Sequence, residues 1–234
     1  DFAALSYYVA FSADNGIGFN YTFNAPNMKN REFEEDGSAD IKRFIMELYN
    51  AGVRSMTITL PSVMEVVQSM GLDIAVKSST ICQITNVHKA MAFKRRGVTR
   101  VVADESINRN FGELKRIRKA FGPEVEVIAN SICFKNCIYR MFHYNQIAHD
   151  SVDFDNKTAF EFYAHRCVSQ RFENIGNLLR LNWIRPEDLK HYMAIGVNYF
   201  KLQGRHTVVK GDPIRAVQCF FQEEYEGDLM ELLD

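Results

Sequence analysis

Ser55-Met56-Thr57-Ile58-Thr59-Leu60 is followed by a run from Ser62 to Met70 that turns Val63, Val66 and Val67 to one side, and then by Leu72–Ser78. The outer segments read as strands and the middle one as a short amphipathic helix. Strands separated by helical segments imply parallel pairing through right-handed crossovers, the repeating unit of α/β proteins.

The same alternation extends in both directions. Upstream, Ala39–Asn50 places Ile41, Phe44, Ile45 and Leu48 on one face and stops near Gly52, preceded by a strand over Gly18–Asn24 and a helix from Asp1 to Asn15. Downstream, Asn86 caps a helix that runs to Arg96 and ends at Gly97, and Thr99–Ala103 is a strand. A helix over Arg109–Phe121 with Leu114, Ile117 and Phe121 on its stripe precedes the strand Glu124–Ala129. Leu179–Ile184 is a further strand, Pro186 opens a helix to Ile195, Val197–Leu202 is the last strand, and Pro213–Tyr225 is an amphipathic helix. Seven strands emerge, which favours a (β/α)8 TIM-type barrel lacking its first strand over an open doubly wound sheet. Because the chain opens on a helix, that first strand is expected to be absent or supplied by another segment. The expected organisation is one barrel domain over residues 1–234, with a long cysteine-bearing insertion at 131–178.

Composition narrows the function. A chain of 234 residues that is 47% hydrophobic has enough apolar material for one large core. Lys plus Arg at 28 against Asp plus Glu at 29 gives no global basic field, hence no strong nucleic-acid signature. No uncharged apolar run reaches the roughly 18 residues of a membrane span, and the opening Asp1-Phe2-Ala3-Ala4-Leu5 lacks the basic start of a secretory signal. Five cysteines at irregular spacing argue for a reducing compartment, so a cytoplasmic location is expected.

In a parallel barrel the reaction site lies beyond the carboxyl ends of the strands. Polar residues gather there: Asn24 and Asn27, Ser79, Thr80 and Gln83, then Asp104, Asn108 and Arg109, then Asn130, and finally Lys201-Leu202-Gln203-Gly204-Arg205. Cys133 and Cys137 follow the buried strand with three residues between them, and Cys167 arrives later in the insertion. Thiols so placed in a chain of cytosolic character read as metal or iron–sulfur ligands, with zinc as the alternative, because both take soft thiolates. Cys82 sits after the third strand, where core packing and approach to the same rim are equally open, and Cys219 on the last helix reads as packing.

His143 and His149 lack the intervening glutamate of a zinc-protease helix, and no nucleophile elbow or phosphate-cradling glycine loop is present. Asp104, Arg109 and His143 are the candidate catalytic residues. Asn130, Lys201, Gln203 and Arg205 are the candidate substrate-binding residues, Arg205 as a bidentate clamp for an anion.

Several blocks carry a family resemblance: Asn15–Asn20 with Asn24-Ala25-Pro26, Ser79-Thr80 with Asn86, Asn130–Arg140 with His143-Tyr144, Trp183–Leu189, and Gly196 through Lys201–Arg205. Through them the chain resembles the collagenase-like peptidase family U32. That resemblance implies a TIM-type barrel and relatives that include oxygen-independent hydroxylases of the ubiquinone ring or of RNA bases, several with a 4Fe-4S cluster on four cysteines. It implies that Cys133, Cys137 and Cys167 are cluster ligands. The pattern departs at Asn27, where similar sequences place a cysteine, so Cys82 substitutes, or an iron stays open, or no cluster assembles. The expected function is an iron–sulfur enzyme, an oxygen-independent hydroxylase or related redox or group-transfer enzyme acting on an anionic or heteroaromatic small molecule or nucleobase. The alternatives are a metal-assisted peptidase and a noncatalytic partner subunit working beside a homologous barrel.

Overall fold

Helices that bury one apolar stripe alternate with short strands, and the strand pairing is parallel throughout. The structure is a computed structural model and describes residues 1–152, 157–158, 160–204 and 212–232. Its backbone contacts divide into two units, each assembled from three stretches of chain. The first comprises Asp1–Cys82, Ala92–Arg100 and Met141–Phe160, and the second Gln83–Met91, Val101–Arg140 and Glu161–Asp234.

In the first unit, α1 (Phe2–Asp14) is capped by the Asp1 carboxylate, which accepts from the Ala3 amide. Strand β1 (Tyr21–Phe23) pairs with β2 (Ser55–Ile58), β2 with β3 (Ala75–Ser78), and β3 with the opening residues of β4 (Val98–Val102). Helix α2 (Glu35–Asn50) buries Ile41, Ile45 and Leu48, spaced four and three residues apart, and α3 (Pro61–Ser69) buries Val63, Met64 and Val67. Each such side chain, fully buried, contributes about 1.5–3 kcal/mol. Helix α2 begins four residues before the expected start at Ala39, and six before Ile41, where its apolar stripe opens. Its first turn carries Glu35 and Asp36, which suit a helix N-terminus, and Gly37, where a Cβ would collide with the Arg31 carbonyl.

In the second unit, Val101 and Val102 of β4 pair with β5 (Val125–Ile128), and β5 pairs with β6 (Tyr199–Lys201). All four residues of β5 are buried, as expected of a parallel strand covered on both faces. Helix α4 (Val87–Arg95) connects β3 to β4. Helix α5 (Phe111–Phe121) is capped by Asn110, whose Oδ1 accepts from the Glu113 amide, buries Leu114, Ile117 and Phe121, and ends at Gly122 with φ +119°. The long insertion holds α6 (Arg140–Val152), which from Met141 onward belongs to the first unit, and α7 (Phe162–Glu173) in the second; α8 (Leu189–Met193) and α9 (Pro213–Gln222) follow.

The six strands run in the order β1-β2-β3-β4-β5-β6. A doubly wound sheet reverses its strand order at a switch point; this order never reverses, which is consistent with part of a TIM-like barrel. Six strands, not the expected seven, occur among the described residues.

The expected strand at 179–184 is the difference. Ile175–Arg180 is a 3-10 helix, and Leu181 makes a single antiparallel bridge to Phe134. The backbone here is satisfied piecemeal: Asn182 N–H donates to the Cys133 carbonyl at 3.1 Å and Ile184 N–H to the Ala129 carbonyl at 2.6 Å. The carbonyls of Leu179, Asn182 and Trp183 accept from the side chains of Arg109 and Asn108. Side-chain donors have replaced a neighbouring strand, and the ladder does not form.

Candidate functional site

The chain leaves β4 through Ala103 into Asp104, whose side chain caps the turn Glu105–Ile107. Asp104 Oδ1 accepts from the Ser106 amide at 2.8 Å and from the Ser106 hydroxyl at 2.5 Å, and its other oxygen pairs with the Arg140 guanidinium. Arg140 Nη1 also lies 3.7 Å from Glu105 Oε2, which accepts from the Ser131 hydroxyl at 2.7 Å. Two carboxylates with no exposed surface thus share one guanidinium that is 9% exposed. Burial opposes ionisation of Asp104, but the hydrogen bond and charge of Arg140 and the two Ser106 donors hold its carboxyl below the usual range.

This buried cluster supports the cysteine loop. Ser131 Oγ accepts from the Cys133 amide at 3.2 Å, and Glu105 stands beside the Cys133 thiol. Burial pushes that thiol up strongly, the Glu105 carboxylate adds to the shift, Arg140 offsets part of it, and Cys167 is near enough to contribute. Cys167 lies on α7. One turn later Arg171 donates both to its sulfur at 3.3 Å and to the Ile132 carbonyl at 3.2 Å, fastening the helix to the loop. Tyr139, Phe162 and Tyr163 form an aromatic cluster at the same junction, with ring centroids 5.3–6.5 Å apart.

Cys137 ends a turn closed by its amide on the Phe134 carbonyl at 3.3 Å, with Asn136 in the left-handed region at φ +54°. Asparagine tolerates that conformation better than most residues. The turn aims Cys137 at the wall of a cleft of about 750 Å³ that Arg109, Lys135, Asn177, Arg180 and Asn182 also line. Two of the three expected ligand sulfurs, Cys133 and Cys167, therefore converge, and Cys137 faces the cleft. Among the described residues no three His, Cys, Asp or Glu side chains are gathered to hold a metal ion.

The other expected site residues fall into several settings. Arg109 donates to the carbonyls of Leu179 at 3.0 Å and Trp183 at 3.1 Å, and its guanidinium lies 5.3 Å from the centre of the Trp183 ring. Beside it, Asn108 Nδ2 bridges the carbonyls of Ile128 at 2.8 Å and Asn182 at 2.7 Å. Asn130 pairs with the backbone of Gln203 in both directions, each at 2.7 Å, which extends the β5–β6 ladder past its last rung. Lys201 closes β6, half-buried. Arg205 lies outside the described residues. His143 belongs to the first unit, on α6, with its ring parallel to that of Tyr144.

Asn27, at the position of the missing cysteine, and Cys82, its suggested substitute, are in the first unit as well. Asn27 Oδ1 accepts from the Lys29 amide at 2.8 Å, and the Cys82 thiol lies 3.3 Å from the Thr59 carbonyl. Glu105, Ser131, Arg140, Arg171 and Asn182 were not among the expected residues. The Asp104-Glu105 doublet directly after a strand was the available signal; the partner of that doublet, 36 residues away, had none.

Residues 23–212 match peptidase family U32. The chain is 28% identical over 235 residues to the uncharacterized protease MJ1657 of Methanocaldococcus jannaschii, an alignment that covers all of this chain and 69% of that one. In fold it is similar to the solved structure of the U32 peptidase Mk0906, with a TM-score of 0.64 at 17% identity, over 86% of this chain and 75% of the other.

Proposed function

Because the chain belongs to peptidase family U32, we propose that it is an enzyme whose reaction takes place in the second unit, at the cysteine loop and the cleft that Cys137 faces. The finer reading is an iron–sulfur enzyme, with a 4Fe-4S cluster on Cys133, Cys137 and Cys167, performing oxygen-independent hydroxylation or a related redox or group-transfer step on an anionic or heteroaromatic substrate. The observation that carries it is that Cys133 stands beside the buried Asp104–Arg140–Glu105 cluster with Cys167 near enough to act on its thiol. The six parallel strands are then part of a (β/α)8 barrel, working in the cytoplasm, where thiols stay reduced.

Iron and acid-labile sulfide analysis of anaerobically purified protein tests the cofactor. The expected result is iron with sulfide in matching amounts, reduced in Cys133→Ser and Cys167→Ser. Iron at background ends the cluster reading and leaves the enzyme assignment standing.

A metal-assisted peptidase is the second reading, favoured by the names of the two similar proteins. A peptide library assayed with and without oxygen separates them: cleavage indifferent to oxygen supports the peptidase.

A further inference from the structure

From Glu161 to Arg180 no residue is buried, although the stretch holds all of α7 and the 3-10 helix after it. Helix α5, of similar length, buries Leu114, Ile117 and Phe121. Helix α7 instead leaves Phe172 84% exposed, and the turn beyond it leaves Ile175 76% exposed. The stretch is nevertheless well bonded within itself. Asn174 caps the 3-10 helix by accepting from the Gly176 amide at 2.8 Å, and Asn177 Nδ2 donates back to the Gln170 carbonyl at 2.6 Å. A segment tied to itself but not packed into a core opens locally at small free-energy cost, because few buried apolar contacts break when it lifts.

Its moorings fit that description. Arg171 Nη2 donates to the Ile132 carbonyl at 3.2 Å, and Phe162 and Tyr163 rest against Tyr139 with ring centroids 6.5 and 6.1 Å away. The Nε of the same guanidinium is buried without a hydrogen-bond partner among the described residues, so the docked state keeps from water a donor that opening hydrates. The stretch also supplies Gln170, Glu173, Asn177, Leu179 and Arg180 to the lining of the cleft, and the loop from Phe134 to Tyr139, with Cys137, supplies another part.

We propose that Glu161–Arg180 is the lid of this cleft, latched by Arg171 on the Ile132 carbonyl and lifting as one body to open the way to Cys137. The assignment rests on reading the cleft as the reaction site, and it gives that site a gate.

Amide hydrogen exchange of the purified full chain, read by mass spectrometry, tests the motion. Iron bound by Cys133 and Cys167 would tie the lid to the loop, so any iron found is first removed with a chelator and the thiols are reduced. The amides of 162–180 then exchange roughly a hundredfold faster than those of 114–121, and low urea leaves their rate unchanged, since local opening exposes little surface and global unfolding much. Arg171→Met speeds exchange across 162–180 about fivefold, the factor of one lost hydrogen bond, and leaves 114–121 as in the parent. Tyr139→Ala, which removes the aromatic mooring, acts in the same direction and covers the case in which the methionine variant does not fold.

The gate is read at Cys137, by peptide mapping after reaction with a maleimide carried on a long polyethylene glycol chain. Arg171→Met, or Tyr139→Ala in its place, labels Cys137 about fivefold faster than the parent does. Any of three results overturns the lid: amides of 162–180 as slow as those of 114–121, folded variants that exchange like the parent, or polymer labelling of Cys137 no faster in them. Iron at background would sink the cluster and leave exchange and labelling untouched, so the two failures are distinguishable.

Discussion

Arg140 is the residue on which the candidate site leans most heavily. It neutralises Asp104 directly and faces Glu105, so its removal leaves two carboxylates buried with one cation fewer. Breaking a buried pair in this way costs about 3–5 kcal/mol, far more than the surface pair between Arg43 and Asp40 would. Arg140→Met, which keeps the bulk of the side chain, is therefore expected to lower the unfolding free energy read from urea denaturation by an amount in that range; a loss below about 1 kcal/mol would mean that the carboxylates are not buried as described. The pH dependence follows from the direction of the Asp104 shift. Its carboxyl titrates lower folded than unfolded, so its stabilisation is present above the unfolded value of about 3.9 and is lost as pH falls through the lower folded value. Urea unfolding of the parent and of Asp104→Asn should show a gap that is constant from neutral pH to about pH 5 and narrows on further acidification. A gap that widens in acid would reverse the assignment.

At the level of elements, two consecutive residues after β4 do unequal work. Asn108 is fully buried and ties the Ile128 carbonyl, at the end of β5, to the Asn182 carbonyl, while exposed Arg109 grips the carbonyls of Leu179 and Trp183. Losing Asn108 strands two carbonyls away from water at about 1–3 kcal/mol each, whereas carbonyls released by Arg109 regain water at a cost nearer 1 kcal/mol. Asn108→Ala should therefore destabilise more than Arg109→Ala in urea unfolding, and equal losses would show that the carbonyls held by Asn108 are within reach of solvent. The same pair shows what was legible in the sequence. Helices α2, α3 and α5 and the strands between them were readable because a 3.6-residue stripe and a short β-branched run are local signals. The strand expected at 179–184 was not: Leu181, Asn182 and Ile184 have the right composition, but what decides their conformation is two side chains more than seventy positions earlier. Likewise the strand-end rule reached Asp104 and Asn130, since position after a strand is visible, and missed Arg140 and Asn182, whose roles come from burial against distant partners.

Over the whole molecule, the division into units follows packing and not chain order, and β4 is where this matters. Val98 and Arg100 pair with Val76 and Lys77 in the first unit, and Val101 and Val102 pair with Val125 and Glu126 in the second. Cutting the chain after Cys82 therefore has asymmetric consequences. Residues 1–82 keep β1, β2 and β3 but lose the Ala92–Arg100 and Met141–Phe160 stretches of their own unit, so β3, with Val76 buried and Ser78 at 0% exposure, becomes an open edge. Residues 83–234 contain every stretch of the second unit, including Val101 and Val102 of β4, all of β5 and β6, and the fully buried Leu114, Ile117 and Ile128. A chain of about 80 residues with its sheet edge uncovered has too little buried surface to offset its conformational entropy, whereas one of about 150 residues with an intact core does not face that deficit. The expected outcome is a cooperative thermal transition, followed by circular dichroism, for 83–234 and none for 1–82. A cooperative transition in the shorter piece would mean that its three strands and their helices hold without β4, and that the pairing of Val76 with Val98 is dispensable to the first unit.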